Sequence, residues 1–126
     1  MTVPLVIVDG ANVVGSVPDG WWRDRVGAAA RLRDALAQVA VRGLPELPGP
    51  VEIALVVEGK AKNLEQTSNG VRVVSAAGSG DDTITDLVRD SADGRCLVVV
   101  TADRELRDRV TVHGAEVRGP SSVPRR

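Results

Sequence analysis

Phenylalanine and tyrosine are missing from this 126-residue chain, and Trp21 and Trp22 are its only large aromatic side chains. A core must therefore be built from Val, Leu, Ile and Ala, which suits a parallel sheet covered by helices. Cysteine occurs once, as Cys96, so no intrachain disulfide can form. With His113 the only histidine, a zinc site of the usual Cys/His kind is excluded as well. Any metal would have to be held by oxygen donors, which favours Mg²⁺ or Mn²⁺. Positive charge is not in excess: the net charge is −1. A protein that gathers nucleic acid by a broad field would be strongly basic. RNA or DNA would have to be held here by local arginines and a metal. No apolar run approaches the length of a membrane span, and the N-terminus lacks the pattern of a signal peptide. The expectation is a cytoplasmic protein with no membrane contact.

What is present is ordinary for a globular chain, with 43% apolar and 26% charged residues. The length suits one domain over residues 1–118, followed by a frayed tail over 119–126. Apolar runs bounded by turn residues predict strands at 4–9, 51–57, 71–74 and 96–101, with a last edge strand at 116–118. Helical spacing of Trp22, Val26, Ala29, Leu32, Leu36 and Val39 predicts a helix from about Trp21 to Val41, with Asp19 as N-cap and Gly43 as stop. In that reading Trp22 anchors the helix to the core. Further helices are predicted over 81–92 and 103–112, and a short one within 60–70. Residues 10–20 read as a Gly/Pro/Asp-rich loop, and 43–50 as a loop whose three prolines oppose pairing. Gly78-Ser79-Gly80 reads as a flexible hinge. Strands alternating with helices define an α/β protein with a mostly parallel sheet of four to five strands between helical layers.

Four aspartates stand at strand ends or helix mouths: Asp9, Asp81, Asp82 and Asp103. In open parallel sheets ligands bind beyond the carboxyl ends of the strands. Carboxylates gathered there repel one another unless a cation lies between them. Each also has a plain structural reading. Asp9 can cap a turn and Asn12 can bond locally; Asp81 and Asp82 suit the positive end of a helix; Asp103 can be an N-cap.

Taken in order, Val6-Ile7-Val8-Asp9-Gly10-Ala11-Asn12-Val13-Val14, Gly78-Ser79-Gly80-Asp81-Asp82-Thr83-Ile84 and Val98-Val99-Val100-Thr101-Ala102-Asp103-Arg104 resemble three motifs of the NYN domains. These are a branch of the PIN-like nucleases, and the chain is similar to the small bacterial YacP-like proteins among them. The resemblance implies a three-layer PIN-like (Rossmann-like) sandwich and a metal-dependent ribonuclease. It implies Asp9, Asp103 and either Asp81 or Asp82 as metal ligands and catalytic residues, with Mg²⁺ or Mn²⁺ as cofactor. Thr101 would orient a water or a phosphate. The chain departs from PIN domains in having no clear glutamate in the first long helix.

Around this set, Asn12 and Arg104 are candidates to contact substrate. Trp21 and Arg23 could stack on and pair with single-stranded RNA, against the alternative of ordinary packing and solvated charge. Glu58, at the end of the second strand, and Asp86, four residues after Asp82, are candidates for supporting roles. For Glu58 the alternative is an ion pair with Lys60 or Lys62. Two rivals to the ribonuclease are an RNA-binding or complex-forming module of the same fold and a nucleotide-binding phosphotransfer domain. The latter lacks the Gly-rich phosphate loop it would need after the first strand.

Overall fold

The computed structural model describes residues 3–59, 61, 64, 70–92 and 94–124. In chain order the elements are β1 (Leu5–Asp9), α1 (Gly10–Gly15), α2 (Arg25–Arg42), β2 (Gly43–Leu44), β3 (Leu47–Pro48), β4 (Glu52–Val57), β5 (Val71–Ser75), α3 (Gly80–Asp90), β6 (Leu97–Val100), α4 (Arg104–Thr111) and β7 (Glu116–Arg118). Five strands form one all-parallel sheet in the order β5-β4-β1-β6-β7.

Side chains of a strand alternate between the two faces of its sheet, and β1 divides its residues accordingly. Val6 and Val8 join the core beneath α1 and α2, with Val13, Leu32 and Leu36. Leu5 and Ile7 join the core beneath α3 and α4, with Ile84, Val88, Leu106 and Val110. A central strand buried on both faces explains the unbroken apolar run at its origin in the sequence. The result is three layers, helices on each side of the sheet, as expected for a PIN-like sandwich. Among the described residues no helix is long and apolar enough to cross a membrane.

Several local expectations are corrected. Residues 10–15, read as loop, form α1, which packs Val13 fully into the core. Six residues are too few to show a helical period, and their two glycines mask the element. The long helix starts later than expected. Trp21–Arg23 is a separate 3-10 turn, and Asp24, not Asp19, caps α2 by accepting from Gly27 N at 2.9 Å. That break puts Trp22 out of phase with the apolar stripe of α2, so the side chain expected to anchor the helix is 54% exposed.

Residues 43–50, expected to be irregular, contain the short antiparallel pair β2–β3. Pro48 sits on this two-residue ribbon, where a missing N–H is tolerated. Residues 120–122 form a 3-10 turn and Val123 is buried in the α1–α2 core, so this part of the segment expected to fray packs on the domain. Most of the helix expected within 60–70 lies outside the described residues, as do Lys60 and Lys62.

Candidate functional site

The chain leaves β1 toward the α1–α2 face, whereas it leaves β6 toward α4 on the other face. Since β1 and β6 are neighbours, their diverging exits open a crevice at the carboxyl edge of the sheet. Asp9 is the last residue of β1 and shares the parity of Leu5 and Ile7, which directs it to the α3–α4 side. There an open polar basin of about 350 Å³ is lined by Asp9, Ala11, Asn12, Glu58, Ser79, Asp81 and Asp103.

The basin is held by a network that ties the first and third motifs together. The Thr101 hydroxyl donates to Asp9 Oδ2 at 2.9 Å and accepts from the Asp103 amide at 3.1 Å. Asn12 Oδ1 accepts from the Ala102 amide at 2.8 Å. Asp103 Oδ1 in turn accepts from Leu106 N at 3.1 Å, capping α4. One oxygen of Asp103 is therefore spent on the helix, while the residue still lines the basin. Thr101 is 1% exposed, so its hydroxyl is committed to positioning Asp9 and the β6–α4 turn. Asn12 faces the basin and at the same time fixes that turn.

The second motif enters through α3. Ser79 accepts from the Asp81 amide and caps the helix. The Gly80 amide donates to Glu58 Oε2. A Cβ on Gly80 would lie 2.7 Å from that oxygen, so glycine is what lets the Glu58 carboxylate reach the helix end. Gly80 is thus a packed position rather than a hinge. Glu58 lines the basin, and its Oε2 is held by the start of α3. The alternative left open between Asp81 and Asp82 is resolved as placement: Asp81 lines the basin, whereas Asp82 points away and pairs with Arg109 at 2.9 Å. Asp86 pairs with Arg89 on the exposed side of α3.

Burial, with like charge added to it, shows in the ionisation of two of these carboxylates. Asp9 is pushed up from 3.8 to about 6, chiefly because burial penalises its charge; the Thr101 hydroxyl opposes the rise, and Asp81 and Glu58 add to it. Asp81 is also raised, by partial burial first and then by repulsion from Asp103 and Glu58.

The side-chain oxygens lining the basin are four carboxylates, the Asn12 amide and the Ser79 hydroxyl, a hard-oxygen set that fits a divalent cation in kind. Among the described residues, however, no three acidic, His or Cys side chains close around a single point. The two facts are compatible for Mg²⁺, which is commonly held by one or two carboxylates and keeps several waters.

Beside the basin, on the α1–α2 side, lies a second and mainly apolar cavity of about 90 Å³, walled by Trp21 and bordered by Arg25. The Arg25 guanidinium stands 5.2 Å from the centre of the Trp21 ring. Arg23 is exposed and stands 5.8 Å from the Trp22 ring, and Arg104 is exposed at the first turn of α4. Neither lines the basin. Arg25 closes the segment Trp21-Trp22-Arg23-Asp24-Arg25, in which the sequence points to Trp21 and Arg23. Its closeness to Trp21 arises from the break at Asp24, which periodicity does not reveal.

The architecture and basin together define an α/β protein of PIN-like fold with an acidic edge. The backbone is similar to the crystal structure of a point mutant of Rae1 (YacP) from Bacillus subtilis. The TM-score is 0.71 at 16% identity, covering 94% of this chain and 70% of that one. The neighbour bears the YacP name that the three sequence motifs resemble, and at this identity the likeness is one of fold. No protein-family model and no curated protein sequence matches the chain.

Proposed function

We propose that the protein hydrolyses phosphodiester bonds of single-stranded RNA at the acidic basin, using Mg²⁺ or Mn²⁺. The observation that carries this reading is the meeting of Asp9, Glu58, Asp81 and Asp103, from four separate segments, in one basin at the β1–β6 crevice. Four carboxylates facing one open space repel one another, and a divalent cation is the simplest neutralising partner. The YacP-like fold and the three NYN-like motifs favour RNA as the substrate class.

In this reading one or two of Asp9, Asp81 and Asp103 hold the cation directly and the remainder reach it through its waters, while Glu58 braces the start of α3 and faces the same space. Asn12 and Thr101 position the ligands. Asp82 and Asp86 lie outside the basin and are assigned no chemical part. Bound there, the ion would supply Lewis acidity toward the phosphate and lower the pKa of a coordinated water. Among the described residues the basin holds no cysteine or histidine, and the oxygen of its one serine, Ser79, is engaged in capping α3. The nucleophile is therefore water.

A second reading, an RNA-binding or complex-forming module without activity, is favoured by the lack of a closed three-ligand set among the described residues. One experiment separates them. Wild type, Asp9→Asn and Asp103→Asn, purified identically, are assayed on single-stranded RNA with Mn²⁺ and with EDTA. The expected outcome is metal-dependent cleavage by wild type, with turnover falling at least about 100-fold in both variants while RNA binding changes little. Equal cleavage by all three proteins would remove the basin from the chemistry. Binding without cleavage in wild type would leave the binding module as the function.

A further inference from the structure

The 90 Å³ cavity beside the basin has the features of a binding slot rather than a packing flaw. Its lining is mainly apolar and small, with Val14, Ala29 and Val57 beside Gly10, Ala11, Gly59 and Ala61. Its aromatic wall, Trp21, lies close to Gly15, where a Cβ would sit 3.7 Å from the indole. The guanidinium of Arg25 stands over the same ring, and Arg25 makes no ion pair among the described residues. Ala11 and Glu58 line both this cavity and the acidic basin. An occupant of the slot is therefore in reach of whatever lies at the carboxylates.

A flat ring entering beside Trp21, with a cation at the rim to meet an attached phosphate, describes a nucleotide. We propose that the Trp21–Arg25 slot holds one unpaired nucleobase of the RNA strand, belonging to a nucleotide next to the phosphate in the acidic basin. The assignment rests on RNA being the substrate. It gives a physical origin for single-strand selectivity. A base held in a duplex is stacked and paired, and it would have to be flipped out before it could enter a pocket. The slot takes a single ring system, so it fixes the register of the strand one base from the reacting bond. Arg25, at the rim, meets phosphate, and Trp21 offers the base the part of its ring that lines the slot.

The test uses intact protein and two separable readouts. In the first, a Trp22→Phe variant leaves Trp21 as the sole tryptophan. It is titrated in EDTA with a uridine pentanucleotide and with a base-free ribose-phosphate chain of the same length. The uridine strand is expected to quench Trp21 fluorescence saturably. The base-free chain is expected to bind at least about 10-fold more weakly, the lower range of base–aromatic stacking. Adding Ala61→Leu, which fills the slot and keeps Trp21, should weaken the uridine strand by a similar factor.

In the second readout, wild-type cleavage with Mn²⁺ is mapped on RNAs carrying one abasic residue at successive positions. Cleavage is expected to fall only when the abasic residue adjoins the bond that is cut. Normal cleavage at every abasic position would overturn the slot and leave the nuclease reading intact. Saturable quenching that Ala61→Leu abolishes, without cleavage, would leave the slot standing and remove the nuclease. Equal binding of the two chains would overturn the slot whether or not RNA is cut. Trp21→Leu serves as a further check that retains apolar volume if Ala61→Leu disturbs the fold.

Discussion

Asp9 shows how much of this site is settled atom by atom. A buried carboxyl raised from 3.8 to about 6 binds a proton more tightly in the folded chain than in the unfolded one. Between those two values the native state holds the extra proton, so stability falls as pH rises through the window and is lowest above it. A shift of this size corresponds to about 3 kcal/mol at neutral pH. Asp9→Asn keeps the shape and removes the charge. Its metal-free stability relative to wild type should be unchanged or lower near pH 4 and should rise by up to about 3 kcal/mol by pH 7. Urea unfolding of both proteins across that range in EDTA measures the difference. A difference that does not vary with pH would mean that Asp9 ionises normally. Thr101 is the counterweight, since its hydroxyl is the donor that favours the charged form.

At the scale of elements, the start of α3 is where backbone and site are coupled. Ser79 caps the helix, Gly80 gives its amide to Glu58, and Asp81 follows into the basin. Two glycines two residues apart thus have different jobs. A Cβ at Gly80 would crowd Glu58 Oε2, whereas one at Gly78 would meet nothing within 4 Å. Gly80→Ala should cost up to about 1 kcal/mol, because the mobile Glu58 carboxylate swings aside and gives up its bond to the helix amide while alanine recovers part of the loss through its helix propensity. Gly78→Ala should stay within about 0.5 kcal/mol of wild type or stabilise slightly by reducing unfolded-state freedom. Thermal or denaturant melts of the two variants check this, and equal losses would contradict the coupling. Gly10 is tighter still: a Cβ there would lie 2.5 Å from the Val56 carbonyl oxygen, so α1 can only leave β1 through glycine.

For the whole molecule, the acidic edge sets a balance between folding and binding. Carboxylates held together without a cation oppose folding, and an ion that binds only the folded state stabilises it by mass action. At about 100 times its Kd, Mn²⁺ should add about 2.7 kcal/mol, a rise in melting temperature on the order of 10 °C. Asp9→Asn should melt higher than wild type in EDTA and respond little to Mn²⁺. A wild-type melting curve indifferent to Mg²⁺ and Mn²⁺ would argue strongly against the metal. The near-neutral net charge is consistent with the proposed function only if attraction for RNA comes from a few arginines and a bound cation rather than from the overall field.

The α/β architecture was legible in the residues alone because the three central strands β1, β4 and β6 are buried on both faces and write nearly unbroken apolar runs. The three acidic motifs were legible because strand ends are punctuated by Gly, Asn, Thr and Asp. Short elements were not: α1 and the β2–β3 ribbon carry too few residues for a period, and the break at Asp24 hides inside a continuous apolar stripe. What only the folded structure decided is which carboxylates meet. Asp81 and Asp82 are adjacent in sequence and alike in chemistry. A helix rotates each residue about 100° from the last. That single step sends Asp81 to the basin with Asp9, Glu58 and Asp103, and Asp82 to Arg109. The bonds from Asp9 to Thr101 and from Asn12 to Ala102 join residues about 90 apart in the chain, so only the adjacency of β1 and β6 could bring them together.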